Sequence, residues 1–195
     1  MSSPLRKIPL AVLALVAVFA LSACGDSHTR VTTGTYAGES GKNAPYLNVG
    51  PLVYEVQLSR ELNPANIEDA AYLKGLTPAE AHLEPGQEWF AVFIQVWNHN
   101  SVALPAASNL TISDTQNNIY TPIVPSAENE FAYRAGRVPA KGELPLPESV
   151  ASQGATGGAV LLYKIQTVSL DNRPLELKIV APNDASQTAS AELDV

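Results

Sequence analysis

Trp89-Phe90-Ala91-Val92-Phe93-Ile94-Gln95-Val96-Trp97 decides the fold. Phe90, Val92, Ile94 and Val96 recur with a period of two, and the run is built from aromatic and β-branched residues, the pattern of a strand rather than a helix. The alternate positions, Trp89, Ala91, Phe93, Gln95 and Trp97, are also largely apolar. A strand apolar on both faces lies in the middle of a sheet with material packed on either side.

The same period extends outward. Leu52, Tyr54, Val56 and Leu58 fall on one face, with Glu55, Gln57 and Ser59 on the other. Beyond the turn Asn98-His99-Asn100, short strands are expected at Val102 to Leu104 and Leu110 to Ser113. Asp114-Thr115-Gln116-Asn117-Asn118 then turns the chain into Ile119 to Ile123. Later, Ala159, Leu161, Tyr163 and Ile165 alternate, then Leu175, Leu177 and Ile179, then Ala189, Ala191, Leu193 and Val195. These make about eight strands. With no long amphipathic helix to cover a parallel sheet, they predict an all-β, antiparallel β-sandwich.

Two stretches interrupt the rhythm. In the insertion 60–86, Asn63-Pro64 and Thr77-Pro78-Ala79-Glu80 each place a capping residue before a proline at the first helical position, and the second adds Glu at the third. A turn or two of helix is expected there. Ser126 to Ala151 carries Pro139, Pro145 and Pro147 and reads as extended coil laid across a sheet edge. The segment 45–195 has the length of one domain that buries roughly two-thirds of its unfolded surface.

The amino-terminal segment has another purpose. Arg6 and Lys7 precede an apolar run from Ile8 to Ala20, the order of parts in a secretory signal and too short to span a bilayer. Leu21-Ser22-Ala23-Cys24 resembles the lipobox of bacterial lipoproteins. The resemblance implies removal of residues 1–23, a thioether from Cys24 to diacylglycerol, and commonly a further acyl chain such as palmitate on the new amino terminus. An ordinary signal peptide cut after Ser22 also satisfies the small-x-small rule, but it leaves the chain's one cysteine as an unexplained free thiol in an exported protein. Two or three acyl chains, at about 0.8 kcal/mol per buried CH₂, hold to a membrane far more firmly than one. Residues 24–44, rich in Gly, Ser and Thr, read as a lipidated flexible tether.

Removing residues 1–23 leaves ten basic against nineteen acidic residues, so the net charge of −7 becomes −9. An acidic chain argues against nucleic acid as partner, since that affinity comes from Lys and Arg neutralising phosphates. It argues equally against adhesion to anionic lipid by protein charge. With Cys24 committed to lipid, no intramolecular disulfide is available, and stability rests on the core.

Several pieces in order resemble a group of bacterial lipoproteins with an immunoglobulin-like domain, akin to the secreted immunoprotective extracellular protein superfamily. They are Val49-Gly50 leading into Tyr54-Glu55-Val56, then Gly86-Gln87-Glu88-Trp89 running on to Asn98, then Asp114 with Tyr120-Thr121-Pro122, and Leu175-Glu176-Leu177-Lys178-Ile179. The resemblance spans about Tyr46 to Val195 and implies an immunoglobulin-like sandwich with no established enzymatic activity. The chain departs from it in the length of the insertion and in lacking the paired cysteines of true immunoglobulin domains.

No catalytic constellation stands out. Gly38-Glu39-Ser40-Gly41-Lys42 lacks the first glycine and the Ser or Thr of a phosphate loop, and Gly154-Ala155-Thr156-Gly157-Gly158 lacks dinucleotide spacing. His82 and His99 have no evident Ser and Asp escort. A metal site from His82, Glu84, Glu88 and His99 requires the insertion to fold back on the Asn98 turn, and no ligand spacing prompts it. Asp114, Asn117 and Asn118 read as hairpin residues rather than calcium ligands. No cofactor is expected.

Trp89, Phe93 and Trp97 share a strand face and form either a ligand platform or, the heavier reading, core. Burying each ring removes ~150–250 Å² from water, which a domain without disulfides needs. The expectation is a non-enzymatic, extracytoplasmic lipoprotein held to the cell membrane by its lipid. Its foremost role is a protein-interaction module of the cell envelope, working through a sheet edge or the 60–86 insertion. The alternative is a solute- or metal-binding lipoprotein with a site near Trp97, His99 and His82.

Overall fold

The computed structural model describes residues 29–31 and 46–193; the signal segment, Cys24 and most of the expected tether lie outside the described residues. The fold is an all-β sandwich of mainly antiparallel strands. Its strands are β1 (Thr29–Val31), β2 (Tyr46–Val49), β3 (Leu52–Leu62), β4 (Gln87–Trp97), β5 (Leu104–Pro105), β6 (Asn109–Ser113), β7 (Ile119–Tyr120), β8 (Arg137–Val138), β9 (Glu143–Leu144), β10 (Ala159–Gln166), β11 (Leu175–Ala181) and β12 (Asp184–Leu193). Among the described residues three short α-helices, α1 (Ile67–Tyr72), α2 (Pro78–Ala81) and α3 (Val150–Gln153), and a 3-10 turn at Thr167–Leu170 join them.

The front sheet runs β10-β4-β3-β2, with β9 added alongside the end of β4, and the back sheet runs β1-β12-β11-β6-β7. A small third sheet pairs β5 with β8. Among the described residues the named strands pair antiparallel except β1 with β12, which places Thr29 opposite Ser190 and Val31 opposite Glu192. Each expected strand has a counterpart, but the one expected at Val102 to Leu104 stands at Leu104–Pro105, Ile119 to Ile123 is cut to Ile119–Tyr120, and Val195 lies outside the described residues. β1, β2, β8 and β9 are additional: β1, β8 and β9 are two or three residues long and too short to show a period, and β2 alternates over only four residues. β1 lies inside the stretch read as tether, so four residues separate Cys24 from the first strand.

Between the sheets lies the main core. Leu47 and Val49 of β2, Leu52 and Tyr54 of β3, and Phe90, Val92, Ile94 and Val96 of β4 meet Leu110 and Ile112 of β6, Leu175, Leu177 and Ile179 of β11, and Ala191 and Leu193 of β12. Three tyrosines bring polar handles into it, each with a partner. Tyr54 Oη accepts from Ala107 N at 2.7 Å, Tyr133 Oη donates to Ala107 O at 2.7 Å, and Tyr163 Oη donates to Leu110 O at 3.2 Å. A buried hydroxyl without such a partner is costly, so these bonds pin the coil at Ala107 to the core.

β3 departs from simple alternation. Val56 stands opposite Ile94, but Leu58 stands opposite Phe93, so Gln57 is an extra residue in the strand. A bulge of one residue reverses the faces of everything after it. Leu58 therefore leaves the face of Tyr54 and Val56, correcting the expectation that all four residues share it. With Leu62 it faces outward beside Trp89, Ala91 and Phe93.

That outward-facing half of the front sheet is covered by the insertion. Tyr72, Leu73, Leu76 and Leu83, joined by Ile123 and Phe131, pack on Leu58, Leu62, Trp89, Phe93, Val160 and Leu162 as a second core. The Tyr72 ring meets Phe93 and Phe131 edge to face at 4.9 and 5.0 Å. Polar clips fasten the layer. Asp69 takes Arg60 Nη2 at 2.5 Å and Asn63 N at 2.8 Å, and buried Asn129 donates to the carbonyls of Tyr72 and Lys74.

Both expected helical turns form, with one shifted start. At α2, Thr77 Oγ1 accepts from Glu80 N at 3.2 Å while the Glu80 carboxylate accepts from Thr77 N at 2.8 Å, the capping box foreseen. For α1 the cap is Asn66, whose Oδ1 accepts from Glu68 N, rather than Asn63. Asn63 instead caps the turn before it, accepting from Ala65 N.

After β7 the chain crosses from the back sheet to the front: Ile123 N donates to Leu162 O, and Phe131 and Tyr133 bond Val160. Phe131 to Tyr133 thus lie along the free edge of β10, whereas the proline-bearing stretch expected as coil holds β8, β9 and the start of α3.

Candidate functional site

The bulge at Gln57 divides the outer face of the front sheet. On one side of it the insertion buries Trp89 to 2% exposure and Phe93 completely. Both are core, and Lys164 Nζ lies 5.4 Å from the centre of the Trp89 ring. On the other side the face is open. The platform suggested by the shared face of Trp89, Phe93 and Trp97 is therefore divided, and of the three only Trp97 reaches the open half.

What joins Trp97 there is set by strand register. β2 adds Tyr46 and Asn48 opposite Glu55 and Val53, and Val53 stands opposite Trp97. Tyr46, Asn48, Val53, Trp97 and His99 line a concavity of about 460 Å³, within the size range of small-ligand clefts. The Tyr46 and Trp97 rings meet at 5.7 Å with an interplanar angle of 72°. Tyr46 is 38% exposed.

Trp97 is held from its far edge. β9 pairs Glu143 with Trp97, and the indole Nε1 donates to Glu143 Oε2 at 3.0 Å. The turn carrying His99 is held as firmly. Asn98 is buried and its amide donates to the carbonyls of Val102, Val138 and Pro139, while its Oδ1 accepts from Asn100 N. Lys141 Nζ donates to the His99 carbonyl.

The boundary between the halves is a polar belt. Gln57 Nε2 donates to Glu55 Oε2 at 2.8 Å and to Gln95 Oε1 at 3.1 Å, and Gln95 Nε2 donates to Gly157 O at 2.6 Å. Glu55 is 2% exposed. Burial pushes its carboxyl above the ordinary range, and the Gln57 bond offsets part of that rise.

The other sequence candidates lie elsewhere. His82 closes α2 and its Nε2 lies 3.8 Å from Glu84 Oε1, both side chains being exposed; it does not line the cavity with His99. Among the described residues no group of three or more His, Cys, Asp or Glu is placed to hold a metal. Asp114 spends its carboxylate on its own turn, accepting from Gln116 N, Asn118 N and Asn118 Nδ2, and on the distant Ser169 Oγ. Burial favours the neutral acid, but these bonds outweigh it and hold the group at about 2.

Two smaller cavities, of about 280 and 160 Å³, lie beside Arg134 and at the Pro51 end of the sandwich. The guanidinium at the first is already engaged by the carbonyls of Pro125, Ser126 and Asn129. Cys24, Leu21, Ser22 and Ala23 lie outside the described residues.

Tyr46, Asn48 and Val53 are the site residues that the sequence reading did not reach. Their signal is faint but present: Leu47 and Val49 alternate with Tyr46 and Asn48 over four residues directly after Pro45.

The architecture defines the class: an all-β, two-layer antiparallel sandwich with one outer sheet face half covered by its own insertion. No family model matches the chain, and no curated protein matches it. Among solved structures it is similar to ycdA of Bacillus subtilis, described as a lipoprotein, at TM-score 0.50 and 10% identity over 76% of this chain; the chain spans 38% of the length of that protein. It is similar also to the yjhA protein of Bacillus subtilis at TM-score 0.49 and 11% identity, over 77% of this chain and 97% of that one. A β-sandwich protein of Clostridium difficile aligns at TM-score 0.43 and 8% identity, over 77% of this chain and 91% of that one. At such identities the likeness speaks to fold alone.

Proposed function

We propose that this chain is a lipid-anchored, extracytoplasmic binding module of the cell envelope whose working surface is the open half of the front sheet. The observation that carries the reading is the division of one sheet face at Gln57. The insertion is consumed in covering Trp89 and Phe93, while Tyr46, Asn48, Val53, Trp97 and His99 are left around a concavity. This moves the contact surface of the expected interaction module from the insertion to the sheet face beside it. The lipobox at Leu21 to Cys24 supports the anchored part of the reading. The role is binding rather than catalysis, and the partner is another envelope component.

The solute-binding alternative draws on the same cavity, which is concave, aromatic and rimmed with polar groups. It draws on Trp97 and His99 but not on His82, which stands apart.

Both parts are tested in growing cells. Labelled palmitate should enter the protein and disappear with Cys24→Ala. A photo-crosslinking residue at Asn48 should give specific products, while the same residue at Lys178 on the exposed face of the back sheet gives none. Absence of label removes the anchor, and equal products at both positions remove the assigned face.

A further inference from the structure

Resting on the binding-module reading, we propose that the concavity around Trp97 is a saccharide site that takes the ring of an uncharged sugar. The claim is narrower than the choice of face and can fail separately from it.

The aromatic part supplies the first argument. An aromatic face carries excess negative charge and its edge excess positive. The C–H groups on the flatter side of a pyranose are weakly positive, so they pack favourably against such a face while burying apolar surface. Trp97 offers its indole there, fixed in orientation by the Glu143 bond at 3.0 Å, with Tyr46 as a second wall at 72°. Because the two rings engage each other edge to face, they do not stand as facing walls. A caged quaternary ammonium needs several ring faces turned on one point.

The rim supplies the second. Asn48 carries an amide and His99 an imidazole, and each is planar and presents donor and acceptor atoms. Vicinal hydroxyls of a sugar both donate and accept, so planar groups with both capacities meet them in pairs. A purely apolar ligand would leave these groups desolvated without partners, at a cost.

Charge supplies the third. Among the described residues no Lys or Arg lines the cavity, and Lys141 beside it is bonded to the His99 carbonyl. Glu143 stands at the Trp97 edge and Glu55 is buried on the same face. The carboxylates of Glu143 and Glu55, set against the ammonium of Lys141 beside His99, make the surroundings disfavour a phosphate, sulfate or uronate.

The test uses the full mature chain in detergent, titrated calorimetrically with chitohexaose, cellohexaose and maltohexaose, a sulfated hexasaccharide and tetramethylammonium chloride. At least one neutral hexasaccharide should bind and protect tryptophan emission from acrylamide. Trp97→Ala should weaken that binding tenfold or more. Trp97→Phe should retain most of it, and Asn48→Ala and His99→Ala should each weaken it severalfold with unchanged thermal midpoints. These last two lie on the exposed rim, so they keep the test valid if Trp97→Ala fails to fold.

Binding of tetramethylammonium or the sulfated sugar in place of the neutral ones overturns the assignment. So does the absence of any neutral binding, or binding that survives both Trp97→Ala and Asn48→Ala. A lipidated protein that crosslinks from Asn48 yet ignores every neutral sugar leaves the binding-module reading standing and removes this one.

Discussion

Gln57 Nε2 bonds Gln95 Oε1 at 3.1 Å at the point where β3 gains its extra residue. This contact marks the line at which the outer face of the front sheet changes from covered to open. Before the bulge Val53 and Glu55 face outward beside Trp97 and Gln95; after it Leu58 and Leu62 face outward beneath the insertion. One residue thus provides both the second core and the surface left free of it.

Deleting Gln57 should return Leu58, Arg60 and Leu62 to the opposite face and strip the second core of two leucines. At about 1.5–3 kcal/mol for each buried leucine, the loss should exceed roughly 3 kcal/mol. Gln57→Ala keeps the backbone bulge and removes two side-chain bonds, for a cost of about 1–2 kcal/mol. Urea midpoints of the two variants separate the effects, and equal stabilities would show that register does not depend on the extra residue.

Asp69 ties the insertion to β3 through Arg60, with the Asp side chain almost fully enclosed and the Arg side chain about one-third exposed. The Arg60 bond is the largest influence on Asp69 and holds its carboxyl below the ordinary value, while burial works against it. Removing one partner of a buried pair costs about 3–5 kcal/mol, and the exposure of Arg60 brings the expectation for Asp69→Ala down to about 2. The loss should be local: amides of α1 should exchange faster and Trp89 emission should move to the red, while back-sheet amides stay protected. Uniform loss of protection would mean that insertion and sandwich unfold as one unit.

The longer strands were legible in the sequence, because a half-buried strand has to alternate. So was the capping box at Thr77 and Glu80, a contact closed within one turn. The bulge was not, since an extra residue at Gln57 leaves composition and hydrophobicity unchanged and shows only in the register against β4. Trp97 and His99 were legible as neighbours across one turn. Tyr46 was not, because its place beside Trp97 depends on a four-residue strand pairing at the sheet edge. β1 lies in a stretch whose composition predicts no strand.

Asp114 gives a signed prediction. Its folded value of about 2 lies below the ordinary 3.8, so the folded state holds the carboxylate more tightly than the unfolded chain does. The stabilisation is fully present above about pH 4 and fades as pH falls toward 2; at 1.36 kcal/mol per unit it is on the order of 2 kcal/mol. Asp114→Asn should lower stability by a comparable amount at pH 7 and flatten that acid limb. Stability measured by urea between pH 2 and 7 decides it, and parallel curves for the two proteins would show that the turn bonds do not favour the charged form.

Glu55 has the opposite sign. Burial raises its folded value above that of the unfolded chain, so the folded state binds the proton more tightly. Its protonated form suits the fold at low pH, and stability drains away as pH rises from the ordinary carboxylate range through the raised value. Glu55→Gln keeps an acceptor for Gln57 and cannot ionise. It should match the wild type at pH 4 and exceed it at pH 7. A variant less stable at both values would mean that the carboxylate is held by partners stronger than the burial opposing it.

The two tryptophans report separately on the halves of the sheet face. Trp89 is enclosed by Leu62, Leu83 and the Lys164 stem, whereas Trp97 lines the open concavity. In Trp97→Phe the remaining emission should be blue-shifted and nearly immune to acrylamide. In Trp89→Phe it should be red-shifted and quenched severalfold more strongly, provided the insertion stays seated, which α1 amide protection checks. Adding Asp69→Ala to the Trp97→Phe background should then make Trp89 quenchable without changing β11 exchange. Similar quenching of both single variants would place Trp97 beneath cover and close the face on which the binding reading depends.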